Sequence, residues 1–127
     1  MRKTVLSLAA LTLLLAAIHQ VRADFIYWAD ENTNDIRRAN LDGTDQQVLV
    51  TGQSVATGIA LGAAADQMYW TNQGSSGSIR RADLNGSGQQ TLIDQVSPFG
   101  IALNPGGGQM YWTDTGLLKD ARGSRSL

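Results

Sequence analysis

A single aromatic dipeptide recurs at a fixed interval and contains every tyrosine and tryptophan of the 127-residue chain. Its three copies, Tyr27-Trp28, Tyr69-Trp70 and Tyr111-Trp112, lie 42 residues apart. A period of this length is typical of supersecondary units that stack into propellers or solenoids, because one unit alone cannot bury its apolar face. The chain is therefore predicted to be a repeat protein.

Longer segments recur in the same order. The octapeptide Ile-Arg-Arg-Ala-Asn-Leu-Asp-Gly at residues 36–43 returns at residues 79–86 with only Asp and Asn exchanged, and Gly-Ile-Ala-Leu occupies both 58–61 and 100–103. The first shift is 43 residues and the second is 42. Loops that vary by one residue around a constant scaffold explain this difference.

Each repeat is predicted to contain four short strands. In the second repeat they cover residues 58–61, 67–71, 78–84 and 89–93, and the dipeptides Asp42-Gly43 and Asn85-Gly86 supply tight hairpin turns between the third and fourth strands. Beyond residue 23 no apolar pattern has helical spacing. Four strands in a period near 40 residues indicate an all-β chain of four-stranded antiparallel propeller blades.

The tetrapeptide Tyr111-Trp112-Thr113-Asp114 is YWTD, and residues 27–30 and 69–72 differ from it at one position each. With the recurring Ile-x-Arg-Ala-x-Leu-(Asp/Asn)-Gly segment, residues 25–115 resemble the YWTD (low-density-lipoprotein receptor class B) repeat family. NHL repeats are a related alternative. The resemblance implies a six-bladed β-propeller, usually extracellular, that recognises other proteins.

The repeats divide the chain into unequal parts. Residues 24–57 form a partial blade, 58–99 a full blade and 100–116 a second partial blade, so that residues 24–116 hold about two and a half blades in nine strands. Residues 117–127 are polar, lack strand alternation and depart from the repeat. We expect a truncated piece of a longer propeller, and a homotrimer that shares six blades is the alternative.

Residues 1–23 have the pattern of a secretory signal peptide. Arg2 and Lys3 precede an uncharged apolar run at 5–18, and Val21-Arg22-Ala23 supplies small residues at a cleavage site. The run is too short to span a membrane well. The mature chain is therefore expected to be secreted, or periplasmic, without a membrane anchor.

Composition excludes several chemistries from residues 24–127. They contain neither cysteine nor histidine, since His19 lies in the leader, and this removes Cys or His nucleophiles, Ser-His-Asp triads and His- or Cys-ligated zinc. They carry seven basic residues against 11 acidic ones, a balance that disfavours nucleic acid. No catalytic residue, metal or cofactor is predicted.

Asp30, Asn72 and Asp114 occupy the last position of the tetrapeptide. Because asparagine accepts hydrogen bonds but cannot ionise, the position is interpreted as an acceptor for the main chain of the adjoining blade, not as a metal or catalytic ring. Arg38 and Arg81, in the repeated strand, are predicted to meet such acceptors because buried arginines need partners.

These observations favour a noncatalytic module that binds a protein partner or its own subunits. A lactonase-like hydrolase with a metal in the central channel is the alternative, and the inner strands at 58–61 and 100–103 offer it no carboxylate. The ligand-binding residues are not identified, because no predicted loop contains an aromatic residue.

Overall fold

The computed structural model describes residues 24–62, 66–104 and 108–115, together with the main chain of residues 122–126. These residues contain ten strands and no helix. The strands are β1 (Phe25–Asp30), β2 (Asp35–Asn40), β3 (Gln47–Val50), β4 (Ala56–Gly62), β5 (Gln67–Asn72), β6 (Ser78–Asp83), β7 (Gln90–Asp94), β8 (Pro98–Asn104), β9 (Gln109–Asp114) and β10 (Arg122–Ser126).

The strands form three antiparallel sheets, and every sheet joins strands that follow one another along the chain. Blade 1 has the order β1-β2-β3, blade 2 has β4-β5-β6-β7 and blade 3 has β10-β9-β8. The repeat aligns β1–β3 with β5–β7 and β8–β10 with β4–β6. The prediction of an all-β partial propeller with four-stranded blades is confirmed.

The predicted hairpin turns lie between the third and fourth strands of the repeat. Gly43 and Gly86 have φ angles of 83° and 89°, a conformation that glycine adopts without steric cost. In the first turn the Asp42 carboxylate accepts a hydrogen bond from the main-chain N–H of Thr44 at 3.0 Å. In the second turn Asn85 Oδ1 accepts the equivalent bond from Ser87 N at 2.9 Å, so both dipeptides make the same turn.

The tenth strand differs from the prediction for residues 117–127. The segment Arg122–Ser126 pairs antiparallel with β9, from Arg122 opposite Thr113 to Ser126 opposite Gln109. Strand pairing uses main-chain groups, and an open edge such as that of β9 offers them to any extended segment. The lack of side-chain alternation therefore did not prevent pairing, and the count of nine strands is one short.

The apolar core lies between the sheets. One cluster, built around Ile36 of blade 1 with Met68 and Trp70 of blade 2, fills the space between those two blades. A second cluster, around Tyr69 of blade 2 and Met110 of blade 3, fills the next space. Blade 2 is thus buried on both faces by its two neighbours.

The predicted signal peptide at residues 1–23 lies outside the described residues. Within the described ranges, no helix is long and apolar enough to cross a membrane.

Candidate functional site

The tyrosine and tryptophan of each repeat lie on opposite faces of the middle strand. Tyr69 faces blade 3, whereas Trp70 faces blade 1 and is completely buried there. The Trp70 indole Nε1 donates a hydrogen bond of 2.9 Å to Oε1 of Gln53. The dipeptide therefore serves the packing between blades.

In the second repeat the third residue of the tetrapeptide carries a hydrogen bond between blades. The Thr71 hydroxyl is buried, accepts a hydrogen bond from Gly58 N in its own blade at 2.9 Å, and donates to the carbonyl of Phe99 in blade 3 at 2.7 Å. Thr113 repeats the first contact, since its hydroxyl accepts from Gly100 N at 2.9 Å. Sequence reasoning assigned this role to the fourth residue, although the threonines at 71 and 113 were a visible signal.

The fourth residue has different contacts in each repeat. Asp30 accepts main-chain N–H bonds from Asn32 and Thr33 in its own hairpin, both at 3.1 Å. Asp114 accepts one from Ser97 N at 3.3 Å, in the segment that joins blades 2 and 3. The expectation of a contact with the adjoining blade is therefore wrong for Asp30.

Asn72 acts as a donor, which corrects the interpretation of this position as an acceptor. Its amide Nδ2 lies 3.2 Å from Oε1 of Gln53. That Gln53 atom must be the oxygen, because Trp70 Nε1 and Arg80 Nη1 also point at it and neither can accept a hydrogen bond. Asparagine thus supplies an N–H here that aspartate lacks.

Arg38 and Arg81 do not meet the tetrapeptide acceptors. Each donates from Nε and Nη2 to the side-chain oxygen of a glutamine on the next strand, Gln47 at 3.1 and 2.9 Å and Gln90 at 3.0 and 2.8 Å. The arginine one position earlier approaches the predicted site instead, because successive side chains of a strand point to opposite faces. Arg37 Nε thus lies 3.9 Å from Asp30 Oδ2, and its Nη2 lies 3.0 Å from Asp35 Oδ2.

Gln53 is the organising residue that sequence reasoning missed. It is buried in the segment between blades 1 and 2, and its Oε1 accepts from Trp70, Asn72 and Arg80 at 2.9, 3.2 and 3.1 Å. Its own N–H donates to Asn34 O of blade 1 at 2.8 Å. A glutamine recurs 42 residues later, at Gln95, but Val96 takes the equivalent place before blade 3, because its N–H donates to Gly77 O as that of Gln53 donates to Asn34 O.

A surface cleft of about 570 Å³ lies between blades 1 and 2. Phe25 and Tyr27 line it, with ring centroids 6.3 Å apart at 80°, and the Arg38 guanidinium lies 4.5 Å from the centre of the Phe25 ring. Leu61 and Leu84 add apolar surface. The charged residues that complete the lining are Asp24, Asp66 and Asp83.

Three carboxylates against one guanidinium make the cleft negative, so it favours a positively charged group attached to an apolar stem. Its volume lies within the range of ordinary ligand pockets. In the part of the chain that the structure describes, no three His, Cys, Asp or Glu side chains are grouped so that they could hold a metal ion.

Replacing Asp30 by asparagine is expected to weaken the acid sensitivity of the fold. The main-chain N–H of Thr33 lowers the pKa of Asp30, and partial burial opposes this effect. A folded-state pKa below the unfolded value stabilises the fold above the unfolded pKa, and this contribution disappears as the pH falls through the folded pKa. The loss of stability below about pH 4 should therefore be smaller in Asp30→Asn.

Urea denaturation at pH 7 and pH 3 measures this difference. Thr44 similarly lowers the pKa of Asp42, so Asp42→Asn should act in the same direction and the double variant should show the sum. An unchanged difference between the two pH values in Asp30→Asn would contradict the proposed contacts.

Comparison with known proteins supports the fold. A chain in the crystal structure of a nidogen/laminin complex matches with a TM-score of 0.68 and 26% identity, over 71% of this chain and 36% of that chain. The structure of a putative TolB from Agrobacterium tumefaciens matches with a TM-score of 0.59 and 16% identity, over 69% and 32%. No protein-family model and no curated protein matches the sequence.

This chain therefore spans about a third of the length of the solved structures that it matches. The protein has the fold of a partial β-propeller.

Proposed function

We propose that the chain is an exported, noncatalytic β-propeller module with YWTD-type repeats that binds another protein. The likeness to a chain from a nidogen/laminin complex carries this proposal, because that structure contains a propeller in a protein assembly. The leader pattern at residues 1–23 supports export. The polar residues of the repeats support a scaffold role, since their hydrogen bonds join strands and blades.

The cleft between blades 1 and 2 is the proposed contact surface for the partner. Phe25 and Tyr27 supply aromatic area, and aromatic residues are enriched where proteins bind one another. Asp24 and Asp83 are exposed at its rim and attract basic groups. The partner is thus expected to insert a lysine or arginine side chain whose aliphatic stem packs on the apolar wall.

The test begins by expressing the chain with residues 1–23 as its export signal and collecting the protein from the medium. We expect the protein in the medium to begin at Asp24, as mass spectrometry will determine. Random peptides displayed on phage and selected on this protein should enrich lysine or arginine next to an aliphatic residue. For one enriched peptide, Asp24→Lys should weaken binding about tenfold by fluorescence anisotropy, because it reverses a charge at the cleft.

The matched control is Asp94→Lys, which reverses another exposed aspartate, at the end of β7 and outside the cleft lining. It should leave the affinity within about twofold. Selection of uncharged or acidic peptides, or equal losses in the two variants, would disprove the cleft as the binding surface. Retention of residues 1–23 on the protein would disprove export by this leader.

A further inference from the structure

The chain builds the same interface between blades twice. Tyr27 of blade 1 packs against the cluster that contains Met68 of blade 2, and Tyr69 of blade 2 shares a cluster with Met110 of blade 3. Both pairs join equivalent positions of the repeat, since each residue lies 42 positions from its counterpart. In each interface a tyrosine of one blade therefore packs in the same apolar cluster as a methionine of the next.

The two outer blades each expose half of this interface. Tyr111 on blade 3 corresponds to Tyr69 but is 47% exposed where Tyr69 is 3% exposed. Ile26 on blade 1 corresponds to Met68 and is 43% exposed where Met68 is 0% exposed. Tyr111 also lines a depression of about 250 Å³ on its sheet. The free face of blade 3 thus matches the part of blade 2 that receives a following blade.

We propose that two copies of this chain join head to tail, with the Tyr111 face of each copy packed on the Ile26 face of the other. The pairing repeats the internal packing once more, because Tyr111 and Ile26 would then share an apolar cluster as Tyr69 and Met110 do. A head-to-tail contact of this kind closes into a ring when its rotation permits.

The number of copies follows from the number of sheets. The described residues of one chain supply three sheets, and propellers usually contain between about four and eight blades. Six is the only multiple of three in that range, so two chains close the ring. This self-association uses the outer blade faces and is independent of the cleft between blades 1 and 2.

Light scattering on the exported protein tests the proposal. We expect twice the mass of one chain at micromolar concentration. Tyr111→Glu and Ile26→Lys should each weaken self-association about a hundredfold or more, because each places an unpaired charge at the centre of an apolar contact. Val48→Lys is the matched control, since Val48 is exposed in β3 and its counterpart Thr91 stays exposed where blades 1 and 2 pack together.

Mixing the two charged variants distinguishes a lost contact from a lost fold. In a mixed pair one interface holds Glu against Lys and the other keeps the natural residues, so the mixture should form pairs that neither variant forms alone. Circular dichroism of each variant should match that of the parent. A monomeric parent, an open series of larger species, or a failure of the mixture to pair would overturn the proposal.

Discussion

Replacing Gln53 by valine is expected to lower the free energy of unfolding by about 3 kcal/mol. The change removes the shared hydrogen-bond acceptor of a buried indole N–H, an amide and a guanidinium. Gln53 Oε1 is the common acceptor for Trp70, Asn72 and Arg80. Valine is the informative replacement, since Val96 occupies the equivalent place before blade 3. Urea denaturation at one fixed protein concentration measures the loss.

Two further variants identify the cause. Gln90→Ala also removes a glutamine that accepts two bonds from an arginine, but this pair is exposed and should cost only about 0.5 kcal/mol. Adding Arg80→Met to Gln53→Val should restore about half of the loss, because it removes the unpaired charge. Equal losses for Gln53 and Gln90 would show that burial of the network is unimportant.

Alanine at Gly58 is expected to destabilise the fold by about 2 kcal/mol through crowding between blades 2 and 3. A Cβ at this position would lie 2.6 Å from the carbonyl oxygen of Phe99 and 2.9 Å from Thr71 Oγ1. These two atoms form a hydrogen bond between the blades, so the sheets must separate to admit the methyl group. Thermal and urea denaturation measure the effect.

Gly100→Ala is the matched control from the next repeat. A Cβ there meets only Thr113 Oγ1, at an ordinary 3.5 Å, so the change should stay within about 0.5 kcal/mol. If both alanines cost the same, the loss would reflect the backbone preferences of glycine in a strand and not the approach of two blades.

The repeat predicted the sheets well because strand formation depends on local patterns that the sequence displays. Residues 67–71 and 78–84 were expected as strands, and β5 and β6 cover nearly the same residues. The hairpin turns followed from two dipeptides for a similar reason, since Gly43 and Gly86 supply the required positive φ.

The partners of polar side chains were predicted poorly because they depend on contacts between segments. Gln53 lies in a connection where the interval between repeats changes from 43 to 42 residues, so Gln95 and Val96 both align with it and the sequence does not mark it as different from an exposed linker residue. The choice between neighbouring arginines, Arg37 or Arg38, required knowing which strand face meets which sheet. β10 was missed because main-chain pairing needs no side-chain pattern.

The pairing of consecutive strands within every sheet has a consequence for how the chain folds. Each hairpin closes only a short loop, so the chain loses little conformational entropy when two consecutive strands pair. Contacts close in sequence also shorten the search for native partners, which governs the folding rates of small proteins. A chain built in this way can lengthen by whole repeats without increasing the sequence separation that any strand must bridge.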